Sequence, residues 1–190
     1  MNNNKLQKIR AFIAVEIPQK VRTEICQLID RFAQTGQSVK WVKPENLHIT
    51  LLFLGDIDQN FLQQSIEQLT GIAKSEKGFK MSLKNFGAFP SQRMPRVVWI
   101  GVDQGAQALI DLQAKIEAAF TTIGYKPEER KFHPHLTIGR VRERMSNAEQ
   151  VFNTRYQSEV FTINSLVLFK STLTPQGPIY EKIKEFYFLE

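Results

Sequence analysis

Residues 161–188 read FTINSLVLFKSTLTPQGPIYEKIKEFYF, two extended runs rich in β-branched and aromatic residues broken by Thr174-Pro175-Gln176-Gly177-Pro178. That punctuation predicts a β-hairpin, and a hairpin makes its two strands antiparallel. Toward the N-terminus, runs of the same character occupy residues 11–17, 48–54, 79–89, 97–102 and 135–141, each a strand signal. Pro44, Pro90, Pro95, Pro134 and Pro175 stand outside or at the edges of these runs, where no ladder hydrogen bond is required of them.

Three segments instead repeat their apolar residues at helical spacing. Between Pro18 and Gly36, residues Val21, Ile25, Leu28, Ile29 and Phe32 share one stripe, while Arg22, Glu24, Gln27, Asp30 and Arg31 lie mostly away from it. Pro18 marks the entry and Gly36 the exit. A second helix follows Asp58 with Leu62, Ile66, Leu69 and Ala73, and a third spans residues 107–123 with Leu109, Leu112, Ile116 and Phe120. The order is strand, helix, strand, helix, strand, strand, helix, strand, an irregular stretch and a closing pair of strands. It predicts an α+β fold with a mainly antiparallel sheet. No low-complexity linker divides the chain, so residues 1–190 read as one domain.

Composition narrows the functional classes. With 42% apolar and 23% charged residues over 190 positions, a disordered or collagen-like chain is excluded. Cys26 is the only cysteine, which removes intramolecular disulfides and multi-cysteine zinc or iron–sulfur sites and fits a reducing, cytoplasmic setting. Residues 1–10 are polar rather than a secretory leader. No apolar run approaches the ~18–20 residues of a membrane span, so a soluble protein is expected. The net charge of +6 mildly favours polyanionic partners.

One internal echo carries the functional signal. His48-Ile49-Thr50-Leu51 recurs as His135-Leu136-Thr137-Ile138 in the other half of the chain, which suggests two related lobes. A lone His-x-Thr at the start of a strand is usually incidental. Here two of only three histidines share the pattern at matching places. On a strand, residues i and i+2 point the same way, so His48 aligns with Thr50 and His135 with Thr137. If both strands border one cleft, two imidazoles and two hydroxyls converge on it. Displacement at phosphorus needs a base for the attacking oxygen and an acid for the departing one, and imidazole near its ordinary pKa of about 6.5 serves as either. The threonines are suited to the non-bridging oxygens, which a carboxylate would repel. The residues alone do not say which histidine is the acid. His133 invites a competing metal reading with His135 and His48, but no His-Glu-x-x-His or acidic cluster accompanies it, and His133 reads as a loop residue.

Around these motifs lie Arg10-Ala11-Phe12-Ile13-Ala14-Val15 with Ile17-Pro18, then Trp41-Val42, the lead-in Pro44, Glu45, Asn46 and Leu47, and Phe53-Leu54-Gly55 after the first motif. The second motif sits within Arg130-Lys131-Phe132-His133-Pro134-His135-Leu136-Thr137-Ile138-Gly139-Arg140. With both signatures the chain resembles the two-histidine phosphoesterase superfamily, and within it the LigT-like RNA 2′,3′-cyclic phosphodiesterases, over nearly its full length. The resemblance implies a bilobal, pseudo-two-fold fold, with two mainly antiparallel sheets flanking a central cleft and helices on the outer faces. It implies metal-independent, cofactor-free hydrolysis of a terminal 2′,3′-cyclic phosphate to a 2′-phosphomonoester, with His48 as proton donor and His135 as proton acceptor. A weak reverse activity as a 2′–5′ RNA ligase is part of the same picture.

Supporting contacts are less sharply marked. Strict alternation puts Arg140 on the face opposite His135, whereas Arg130, in the preceding loop, is free to reach the cleft as a substrate contact. Lys43, Arg93 and Arg96 are candidates for a phosphate track. Trp41, Phe53, Phe89 and Phe132 are candidates for base stacking, with core packing as the competing fate. Two alternatives stand beside the RNA reading: a non-catalytic module that binds a nucleotide or RNA end, and an enzyme for small nucleotides such as ADP-ribose cyclic phosphate. The expected partner is RNA with a cyclic phosphate end or a cyclic nucleotide, with no membrane and no obligate protein partner.

Overall fold

The computed structural model describes residues 8–35, 38–145 and 148–189; the expected helix exit at Gly36 lies outside them. The chain opens with strand β1 (Ile9–Glu16), helix α1 (Gln19–Ala33) and the short strand β2 (Val39–Trp41). A 3-10 turn (Pro44–Asn46) leads into β3 (His48–Ile57) and α2 (Gln59–Ala73). Next come β4 (Phe79–Met81), the pair β5 (Leu83–Ser91) and β6 (Met94–Val102), α3 (Ala106–Thr122) and β7 (His135–Val141). The short helix α4 (Ala148–Phe152), β8 (Phe161–Ile163), β9 (Ser165–Thr174) and β10 (Gly177–Tyr187) complete the described chain.

Two four-stranded sheets form the scaffold, one in the order β10-β9-β1-β3 and the other in the order β2-β7-β6-β5. All their ladders are antiparallel. β1 and β3 are neighbours with α1 between them in sequence, and β6 and β7 are neighbours with α3 between them. Each half thus repeats a strand, helix, antiparallel-strand plan, and each plan ends on a His-x-Thr strand. β2 departs from the plan. It leaves the first half to pair with β7, Val39 to Trp41 against Val141 to Gly139, and Val42 N–H extends the tie to the Ile138 carbonyl at 2.9 Å.

The helical stripes account for one large core: Val21, Ile25, Leu28, Ile29 and Phe32 of α1, Leu62 and Leu69 of α2, and Leu109, Leu112, Ile116 and Phe120 of α3 are all buried in it. β1 buries both faces. Ala11, Ile13 and Val15 join that core, whereas Phe12 and Ala14 form a second small cluster with Val167 and Phe169 on the opposite face. Helix α2 starts where Asp58 accepts a hydrogen bond from Phe61 N–H at 2.8 Å, a cap of about 1 kcal/mol.

The structure departs from the sequence reading in four respects. The run at residues 79–89 divides at Ser82, whose N–H and carbonyl turn to Gln104 and Asp103, and the run at residues 161–172 divides at Asn164, whose carbonyl takes Phe188 N–H. The fragments β4 and β8 pair with each other as a third, two-stranded sheet. β5 and β6 run on through Pro90 and Pro95, which face each other at the hairpin tip. β2 and α4, three and five residues long, are too short to show a period. The closing hairpin forms as read, its two strands joined through Pro175-Gln176 with Thr174 opposite Gly177.

Gly87 on β5 sits under the Trp99 ring of β6, and a methyl group there would come within 2.2 Å of the indole. Gly87→Ala is therefore expected to lower the unfolding free energy by ~1–3 kcal/mol through overpacking, read from the midpoint of urea unfolding against the unsubstituted protein.

Candidate active site

His48 opens β3 directly after the 3-10 turn. Its Nδ1 lies 2.8 Å from the Asn46 carbonyl and its Nε2 3.0 Å from Thr50 Oγ1. A carbonyl only accepts, so Nδ1 carries the proton in the neutral ring, and the Thr50 hydroxyl donates to the Nε2 lone pair. The imidazole is surrounded by Phe12 at 4.9 Å, Tyr180 edge-on at 5.3 Å and Phe169 at 6.0 Å between ring centroids. These rings strip water from the imidazole. The resulting desolvation lowers its pKa to about 4, against the hydrogen bond to Asn46 and with a smaller push from the Arg22 charge.

His135 is seated the same way in the other sheet. Its Nδ1 lies 2.6 Å from the His133 carbonyl, which again makes Nε2 the free acceptor. Phe89 stands edge-on at 5.0 Å and Trp99 at 6.2 Å. Burial is the main cause that holds its pKa below the ordinary 6.5, and the neighbouring His133, Arg130 and Arg140 add to it. His133 is a loop residue, as read, and contributes its carbonyl to the seat.

Both His-x-Thr strands carry a β-bulge immediately after the threonine. On β3, Thr50 opposes Ala14 and Leu52 opposes Ile13, leaving Leu51 as the extra residue. On β7, Thr137 opposes Trp99 and Gly139 opposes Val98, leaving Ile138 extra. A bulge shifts every later side chain to the other face, and this corrects the placement of Arg140. Its partner is Val97, two residues from Trp99 on β6, so Arg140 shares the face of His135 and Thr137, and it lines the cavity. Lys40 is its partner on β2 and lines the cavity beside it. Phe53, three residues after Thr50 as Arg140 is three after Thr137, is returned to the cleft face in the same way and is 56% exposed.

One cavity of about 420 Å³ is bordered by His48, Thr50, His135 and Thr137 together. Arg130 reaches it, with its guanidinium carbon 4.6 Å from the Phe89 ring centre. Lys43 also lines it, as do Trp41, Phe53, Phe89 and Phe132. Arg93 and Arg96 do not; they sit at the β5–β6 hairpin away from the lining. Sequence reasoning missed Phe12, Phe169, Tyr180 and Trp99, the aromatic walls of the two imidazoles. Period-two alternation is the one local signal for them; it is erased in β1, β6 and β9 by apolar residues on both faces, and in β10 it does not say which strand Tyr180 meets.

The arrangement offers two imidazoles with lowered pKa, two hydroxyls and two guanidinium groups around one cavity. The family profile described as LigT like Phosphoesterase matches residues 15–99 and again 100–180, so each copy holds one His-x-Thr strand. A Methanothermobacter thermautotrophicus protein named RNA 2′,3′-cyclic phosphodiesterase is 34% identical over 183 residues, covering 94% of this chain and 98% of its own. One of the same name from Methanocaldococcus jannaschii is 35% identical over 182 residues, covering 93% and 99%. Among solved structures, a Thermus thermophilus protein superimposes with a TM-score of 0.82 at 24% identity, over 95% of this chain and 98% of its own. Apo E. coli LigT gives 0.79 at 24% identity, over 97% and 99%. The two-copy profile match and these full-length relatives place the chain in the LigT-like phosphoesterase family.

Proposed function

We propose that this protein hydrolyses terminal 2′,3′-cyclic phosphates of RNA to 2′-phosphomonoesters, with His48 and His135 exchanging the two protons. The observation that carries this reading is the pair of imidazoles bordering one cavity, each held at Nδ1 by the carbonyl two residues earlier and each with a hydroxyl two residues on. The full-length relatives named RNA 2′,3′-cyclic phosphodiesterase support the substrate class. The chain acts as one domain, each of its two related lobes giving one His-x-Thr strand. Cys26, unpaired and partly exposed, suits a reducing cytoplasm.

Neutral His135 Nε2 takes a proton from water, which attacks phosphorus in line with the bond to the 3′ oxygen. His48, protonated at Nε2, returns a proton to that oxygen as it leaves. Thr50, Thr137 and Arg140 hold the non-bridging oxygens, and Arg130 contacts the strand at the rim. The assignment of donor and acceptor follows the family pattern, since both rings present the same nitrogen.

Incubating the protein with an oligonucleotide that ends in a 2′,3′-cyclic phosphate, with EDTA present, tests the reading directly. Turnover is expected, and His48→Ala and His135→Ala each reduce it ~10²–10⁴-fold while the fold persists by circular dichroism. Unchanged turnover in either variant would refute the mechanism, and binding without turnover by the intact protein would favour the non-catalytic module. Arg140→Ala is expected to lower kcat/KM on the same substrate by ~10–100-fold, the loss of a charge-assisted hydrogen bond.

The pH profile reflects the dehydration of both rings. The reaction needs one proton on the pair. As pH rises the pair loses that proton, and as pH falls through about 4 it gains a second one. With the other ring also below 6.5, kcat/KM, which reports the free enzyme, is expected to peak below pH 6.5. The bound phosphate anion stabilises imidazolium, so kcat should peak at higher pH. Steady-state rates from about pH 4 to pH 9 check this; coincident optima on the alkaline side would contradict it.

A further inference from the structure

Arg22 lies on the polar side of α1, one turn after Pro18, whose carbonyl accepts its N–H at 3.0 Å. An arginine that merely decorated a helix would extend into water, but the Arg22 side chain is only 13% exposed. It reaches instead to backbone carbonyls at the end of β1 and in the 3-10 turn. Nη1 donates to the Pro44 carbonyl at 2.7 Å, Nη2 to the Ile17 carbonyl at 3.4 Å, and Glu16 Oε1 lies 3.9 Å from Nη2. Each partner leads to His48. Glu16 is the ladder partner of His48 on β1, with Ile17 next in the chain. Pro44 opens the 3-10 turn whose last residue, Asn46, supplies the carbonyl on His48 Nδ1.

We infer that Arg22 is a positioning residue for His48, tying the end of β1 to the turn that holds the imidazole so that Nε2 keeps its aim at the phosphate. The inference rests on the role proposed above for His48. Arg22 does not line the cavity, so it acts through His48 and not on substrate. One planar fork spans both carbonyls at once, which a lysine ammonium cannot reproduce. Asn46 secures the same turn from the far side, its Nδ2 donating to the Pro178 carbonyl at 3.0 Å. The turn is thus pinned both to α1 and to β10, the strand that carries Tyr180 against the ring. The Arg22 charge also contributes to the low pKa of His48.

The experiment compares Arg22→Ala and Arg22→Lys with Arg31→Ala, an exposed arginine of the same helix, on the cyclic-phosphate oligonucleotide. Rates are normalised to the folded fraction from thermal unfolding. Misplacing the imidazole by a fraction of an ångström is expected to cut kcat ~10–100-fold in Arg22→Ala and about tenfold in Arg22→Lys, with KM within about twofold. Arg31→Ala should match the unsubstituted protein. If Arg22→Ala does not fold, Arg22→Lys alone decides. A kcat within about twofold of the parent in folded Arg22→Lys, or a rise in KM without a fall in kcat, overturns the inference. Unchanged turnover in His48→Ala would instead overturn the reading on which it rests.

Discussion

The ladder between β2 and β7 is the constraint on which the site depends. The two His-x-Thr strands belong to different sheets, and nothing in either sheet alone would bring them together. β2 carries the first half of the chain onto the second by pairing Trp41 with Gly139. The chain then has only the segment from Val42 to Leu47 before His48 begins β3, and part of that is coiled into the 3-10 turn. At about 3.3–3.6 Å per extended residue, such a link limits the reach of His48 to about 20 Å, and β3 closes the remaining gap by packing directly against β7. The β2–β7 ladder and the packing of β3 on β7 together hold the two His-x-Thr strands at the cavity that both imidazoles line. The close fit at Gly139, where a Cβ would lie 2.6 Å from Val39 Cγ1 and 2.9 Å from the Trp41 ring, keeps that crossing tight.

The paired bulges complete the geometry. A regular strand would place His, Thr and every second residue after them on the cleft face, so Arg140 would point into the core side among Leu136 and Ile138. The extra residue after each threonine is itself buried, Leu51 at 3% and Ile138 at 0% exposure, so the bulge adds a core contact while it reverses the face of the later strand residues. The two halves then diverge in the side chains they return to the cleft. The second half gives a guanidinium and the first gives Phe53, an arrangement suited to an anionic group with an adjoining flat ring.

Much of this was legible in the sequence, for definite physical reasons. The stripes of α1, α2 and α3 are long enough to show a helical period, and the Thr174 to Pro178 break leaves few conformations other than a hairpin. The His-x-Thr echo stood out because histidines are scarce in this chain. The features that stayed hidden lack a local period. A bulge leaves no mark on side-chain type, so strict alternation puts Arg140 on the wrong face. The seats of the imidazoles are built from backbone carbonyls at Asn46 and His133 and from rings on other strands, contacts that depend on ladder register. Arg22 reads as a solvated helix residue until the fold shows which carbonyls lie beneath it.

The seating also explains why no carboxylate backs either imidazole. An acid at Nδ1 would stabilise imidazolium and raise its pKa, leaving a cation in the empty cleft and no base for the water. A backbone carbonyl orients the ring without adding charge, and the aromatic walls push in the opposite sense. Glu16, the acid nearest His48 along the ladder, is occupied by ion pairs to Lys182 and Arg22. The free site therefore holds two neutral bases. Near neutral pH, an anion in the cavity would favour protonation of one of them, because it supplies negative charge beside the ring. In the proposed mechanism acid catalysis would thereby be coupled to occupancy: the proton that the leaving oxygen needs would be stabilised by the group that will use it.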